Sequence, residues 1–139
     1  MSTTNQSAIV RTLWTSTGVI SKHLDNSLGA VHGIGLTEYM VLLSLSEAPN
    51  QSLRRIDIAE ALSRTASGIT RLLMPMEKIG LVEKQANERD ARVSLVKLTS
   101  TGESLLKNAT VTFEKKAETL LKNLTDKQTS SLLNLLTNI

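Results

Sequence analysis

The sequence predicts a mainly α domain with a small β-hairpin, and three observations predict it. Apolar residues recur at three- and four-residue steps through most of the chain. Capping residues and glycine stops fall between those stretches. One segment, 81–98, instead shows partial two-residue alternation on either side of a charged loop. At 139 residues the chain is long enough for one well-cored domain and too short for two.

Ile9, Leu13, Ile20, Leu24, Leu28 and Val31 mark one face of a long amphipathic helix that Gly33-Ile34-Gly35 should end. Thr37 is the expected N-cap of a second helix over 38–47, which carries Tyr39, Met40, Leu42, Leu43 and Leu45. Ala48-Pro49-Asn50 reads as a turn. Ser52 is the expected cap of a third helix, packed through Ile56, Ile58, Ala59 and Leu62. Ser63-Arg64-Thr65 leads into a fourth helix with Ile69, Leu72, Leu73, Met76 and Ile79 facing inward. Gly80 sits where a left-handed residue should close it. Pro75 inside this helix removes a bond to the Arg71 carbonyl and should bend it, at a cost of about 3 kcal/mol.

Segments 81–86 and 93–98 form the two strands of the hairpin. Ser100-Thr101-Gly102-Glu103 has the pattern of a capping box for a fifth helix. Its stripe is Leu105 or Leu106, Ala109, Phe113, Ala117, Leu120, Leu121 and Leu124. Over 100–124 it would span about 37 Å. Thr125-Asp126-Lys127-Gln128 is a second capping box, opening a last helix with Leu132, Leu133, Leu135, Leu136 and Ile139. Three helices followed by a hairpin describe a winged helix-turn-helix over 36–99, with the charged loop as its wing. Residues 1–35 and 100–139 are then N- and C-terminal dimerisation helices of the same single domain, 1–139. Their apolar faces exceed what so small a core can cover, and a second copy is the simplest cover. Ile9, Leu13, Leu120, Leu124, Leu132, Leu133, Leu136 and Ile139 are the expected interface of a homodimer.

Composition excludes several functions. Trp14, Tyr39 and Phe113 are the only aromatic residues, too few for a single-strand stacking platform. The lack of cysteine excludes disulfides, thiolate zinc sites and thiol redox sensing, and fits a cytoplasmic protein. No basic-then-apolar leader opens the sequence, and no apolar run approaches the roughly 20 residues of a membrane span. His23 and His32 lack the clustering of a metal site and read as helix-surface or pocket-edge side chains. No cofactor is expected. Neither a glycine-rich phosphate loop nor a nucleophile with a base is present, so an enzyme is not expected.

Net charge is only +3, but it is concentrated. Residues 54–97 hold nine Lys and Arg against six Asp and Glu, and every arginine except Arg11. That is the electrostatic footprint of a polyanion-binding surface. Arg64, Thr65, Ser67, Gly68, Thr70 and Arg71 fall at the start and on the outward face of the fourth helix. Hydroxyls can meet phosphates or base edges there, and arginine can grip guanine through two bonds. Arg54, ahead of the third helix, joins them. Gly68 costs about 1 kcal/mol relative to alanine in a helix and permits close backbone approach. In the wing, Arg89 and Arg92 suit a phosphate or a narrow minor groove. Asp90 is repelled by phosphate, and fixing an arginine is its natural task. The partner so described is double-stranded DNA; the alternative is a winged-helix module that binds protein without DNA.

These residues together resemble the MarR (multiple antibiotic resistance regulator) family. The likeness runs through Gly35-Leu36-Thr37, Ile58-Ala59-x-x-Leu62 and Thr70-Arg71-Leu72-Leu73. It continues through Met76-Glu77-Lys78-Ile79-Gly80-Leu81-Val82, Asp90-x-Arg92 and Leu98-Thr99-x-x-Gly102. The resemblance implies a triangular homodimer whose first, fifth and sixth helices interlock. It implies paired recognition helices in successive major grooves of a palindromic operator, with Arg92-type residues in flanking minor grooves. It further implies a transcription regulator, a repressor released by a small amphipathic or phenolic ligand. The pocket it implies lies where the first, second and fifth helices meet, with Trp14, His23 and Tyr39 as candidates. Lys84 stands where an arginine is common, and Gly68 where members often present a side chain to the bases. The absence of cysteine and the shortage of histidine set the chain apart from oxidant- and zinc-sensing members.

Overall fold

A computed structural model describes residues 4–90 and 92–139. Helix α1 (Asn5–His32) is capped by Thr4, whose hydroxyl accepts from Ser7 N–H, and closed by left-handed Gly33 at φ 70°. Helix α2 (Leu36–Glu47) follows after three residues. Thr37 does not cap it. Gly35 is its N-cap, and the carboxylate that receives the Leu36 N–H, at 2.6 Å, comes from Asp25 on α1. A side chain from the neighbouring helix thus satisfies the first donor of α2, where sequence reasoning placed the cap on a local hydroxyl.

Ser52 is likewise not a helix cap. After the turn Pro49–Gln51, with Asn50 and Gln51 at φ 57° and 54°, Ser52–Leu53 forms a short strand, β1. Helix α3 (Arg55–Ala61) begins two residues later, with Arg54 at its N-cap. Helix α4 (Ala66–Lys78) is capped by Thr65 and runs unbroken through Pro75; Gly80 lies just beyond it at φ 81°. Strands β2 (Val82–Ala86) and β3 (Ser94–Leu98) pair antiparallel, and β1 adds to the far edge of β3 in the order β1-β3-β2. The register sets Ser52 and Glu83 on either side of Lys97, and Leu53 and Lys84 on either side of Val96.

Helix α5 (Ser100–Leu120) is capped by Thr99 rather than Ser100 and stops four residues short of the expected end. Helix α6 (Asp126–Leu136) carries the predicted capping box, Thr125 and Gln128 each bonding the other's backbone N–H.

One core joins the segment 36–99 to the long helices. Leu28 of α1, Tyr39, Leu42 and Leu45 of α2, Ile58 of α3, Ile69 and Met76 of α4, and Ala109 of α5 are almost wholly buried in it, with Val96 and Leu98 beneath the sheet. Where α5 meets the lobe, Thr99 accepts from Gly102 N–H while its own hydroxyl faces the Gly80 and Leu81 carbonyls. A side chain on Gly102 would overlap the Leu81 carbonyl oxygen, so only glycine lets the two backbones approach this closely. No single helix among the described residues is long and apolar enough to cross a membrane.

Candidate nucleic-acid interface

Helix α4 forms because apolar residues repeat on one side and Thr65 closes its first turn, accepting from Gly68 N–H at 3.1 Å. Ile69, Leu73 and Met76 anchor the inner side in the core. That anchoring leaves Arg64, Thr65, Ser67 and Arg71 exposed, with Gly68 and Thr70 half-buried. The Thr70 hydroxyl donates back to the Ala66 carbonyl at 3.1 Å, so only its acceptor capacity faces outward. Arg64 reaches Thr37 at 3.4 Å, a long bond that leaves most of its five donors unused.

The wing carries a different device. Arg92 donates to Asp90 three times: its backbone N–H and Nε to Oδ1 at 3.0 and 3.1 Å, and Nη2 to Oδ2 at 3.3 Å. These bonds hold the Asp90 carboxyl below its ordinary pKa, with the side-chain bond from Arg92 the largest cause and the backbone bond next. The Arg92 side chain nevertheless remains 90% exposed. It is thus oriented by the carboxylate and open to a ligand. Arg89 is exposed, its backbone N–H tied to Asn87 Oδ1 at 2.9 Å.

Arg54 has a similar partner in Asp57, through Nε at 2.9 Å and Nη2 at 3.0 Å. Hydrogen bonding to the guanidinium lowers the Asp57 pKa, and the same bond raises that of Arg54. These are the two ion pairs among the described residues, and they leave Arg64, Arg71 and Arg89 without a carboxylate partner. Sequence reasoning missed Arg55, whose Nε is buried without an acceptor among the described residues. The Arg54-Arg55 doublet was its only signal.

A family model described as MarR family matches residues 34–94, the segment that holds α2 to α4 and the wing. Over those residues the chain is similar to the MarR family. The HTH-type transcriptional regulator PapX of Escherichia coli is 29% identical over 109 residues, covering 76% of this chain and 66% of that protein. The transcriptional repressor MprA of Escherichia coli is 29% identical over 89 residues, covering 63% of this chain and 51% of that protein. The chain therefore spans between half and two thirds of the length of these curated relatives. A mutant MarR from Escherichia coli, solved in complex with operator DNA, superposes with a TM-score of 0.83 at 25% identity, covering 94% of this chain and 92% of that one.

In this MarR-type fold the three residues expected to share an effector pocket do not come together. Tyr39 is a core residue, 1% exposed, stacked on Phe113 at 4.8 Å and bonded through its hydroxyl to Thr110 at 2.9 Å. Its ring thus lies buried between α2 and α5. Trp14 is 82% exposed. His23 is exposed nine residues further along α1, about half a turn of azimuth away from it.

The expected dimer residues divide into two groups. Ile9, Leu133 and Ile139 are largely exposed, and Leu132 and Leu136 are exposed to a lesser degree. Leu13, Leu120 and Leu124 are half-buried within the protomer. Helix α6 buries no residue at all, although four of its eleven residues are leucine.

Proposed function

We propose that this protein is a homodimeric, sequence-specific DNA-binding transcription regulator that acts in the cytoplasm as a repressor and is released by a small-molecule effector. One observation carries the reading. A helix capped at Thr65 and a wing arginine aimed by Asp90 belong to a single rigid lobe, and both present unused donors to solvent.

In this mechanism α4 enters the major groove by its N-terminal half. The exposed first-turn amides and Thr65 take a phosphate, while Arg64, Ser67 and Arg71 reach base edges or the backbone. Gly68 lets the helix backbone sit close to the duplex. Arg92 enters the neighbouring minor groove, where narrowing concentrates negative potential. Arg54, already neutralised by Asp57, serves as a positioning contact at the groove edge. Two copies joined by α1, α5 and α6 would place paired α4 helices about one helical turn apart on a palindrome. The operator-bound MarR relative and the repressor MprA support this reading.

The test is selection from a random duplex pool followed by fluorescence anisotropy at several salt concentrations. The expected product is a palindrome with half-sites about 10 base pairs apart, bound with a steep negative salt slope. Retention of no duplex, or binding indifferent to salt, would overturn the proposal.

A further inference from the structure

Along the α1–α5 pair lies an open groove of about 590 Å³, a volume within the range of small-molecule sites. Its charged or chargeable lining is of one kind: His23 from α1, and Lys115 and Lys116 from α5. No Asp or Glu is among its described lining residues, although Glu114 and Glu118 stand one and two residues from that lysine pair in sequence. Asn26, Ser27 and Thr112 add an amide and two hydroxyls. Ala30 and Val31 supply an apolar wall, and Val31 is 66% exposed.

The helical spacing explains the convergence. Residues 23, 27 and 30 recur at steps of four and three on α1, as 112, 116 and 119 do on α5, so each set lines one face. The antiparallel contact between the two helices is pinned nearby by His32 and Thr112 at 2.7 Å.

We propose that this groove binds a small organic anion, its carboxylate or similar group held between His23, Lys115 and Lys116 and its carbon body laid on Ala30 and Val31. The assignment rests on the proposed effector-controlled function and places the effector on the α1–α5 pair, in a groove that Tyr39 does not line. Charge complementarity selects the anion, and the apolar wall together with the lysine stems selects a ligand with a hydrophobic body. No residue of α3, α4 or the wing lines the groove, so occupancy is separable from DNA contact.

The test uses the full chain and isothermal titration with 1-naphthoate, with neutral 1-naphthylmethanol as its counterpart. Naphthoate should bind, and the alcohol should bind at least about tenfold more weakly. The K115Q/K116Q double variant should lose about tenfold or more in naphthoate affinity, whereas K115R/K116R should retain it. Anisotropy on the selected operator, run in parallel, should find the glutamine variant binding DNA like the parent. Equal binding of acid and alcohol, unchanged affinity in the glutamine variant, or no binding up to about 10 mM would overturn the assignment. Naphthoate binding without any duplex binding would overturn the proposed regulator and leave the groove standing.

Discussion

Arg92 and Asp90 form the smallest unit with a functional consequence. A guanidinium free to rotate samples many directions, and ordering it on contact would cost side-chain entropy of about 1–2 kcal/mol. Two guanidinium bonds to Asp90 reduce that cost in advance, and a third holds the Arg92 backbone N–H. Arg92→Ala should weaken operator binding and lessen the salt slope by about one, read by anisotropy across salt concentrations. Asp90→Asn removes a charge that DNA repels and leaves Arg92 less directed. It should therefore strengthen binding to random duplex while lowering the ratio of specific to non-specific affinity. The pairing also has a pH sign. Asp90 is held below its ordinary 3.8, so its contribution is complete above that value and is lost as pH falls through the lower folded-state pKa. A carboxyl-carbon NMR titration should show this depression, and Arg92→Ala should return Asp90 towards 3.8.

The elements were legible wherever periodicity or a unique stop residue defined them. Gly33 and Gly80 close helices in left-handed conformations, and Thr65 and Thr125 cap helices where pattern placed them. Where several hydroxyls stand near a boundary, the sequence could not choose among them. Thr37 lost to Gly35 with Asp25, a partner eleven residues away from the donor, and Ser100 lost to Thr99, its immediate neighbour. Strand β1 has two residues, too few to show any period, and exists because β3 offers an edge. Tyr39 was open to two readings for a related reason. An aromatic with a polar tip fits a pocket or a core equally well until Phe113 and Thr110 are placed around it. Two substitutions test these local devices by chemical denaturation. Thr65→Ala should cost about 1 kcal/mol through the lost cap. Gly102→Ala should cost about 3 kcal/mol by forcing α5 off the Leu81 carbonyl.

At the scale of the molecule, apolar surface concentrates at the two ends of the chain. Leu133 and Leu135 are 65% and 63% exposed, and Ile139 is 86% exposed. Sedimentation at micromolar concentration should give a dimer, and a Leu133→Glu, Leu136→Glu double variant should give folded protomers with operator affinity reduced by orders of magnitude, because each reading lobe would then bind alone. The surplus of leucine over available core was readable from sequence, and the exposed leucines of α6 agree with it. The balance of contacts within each end was not, because Leu13, Leu120 and Leu124 are already half-covered by their own protomer. The tight junction at Gly102 matters here as well. It welds the 21 residues of α5, a rod of about 31 Å, to the lobe that carries α4. A tilt of about 5° at the far end would carry that lobe nearly 3 Å sideways, comparable to one base-pair step. In the proposed dimer, whatever nudges the remote tip would therefore reset the gauge between the two reading heads, with no bending needed in between.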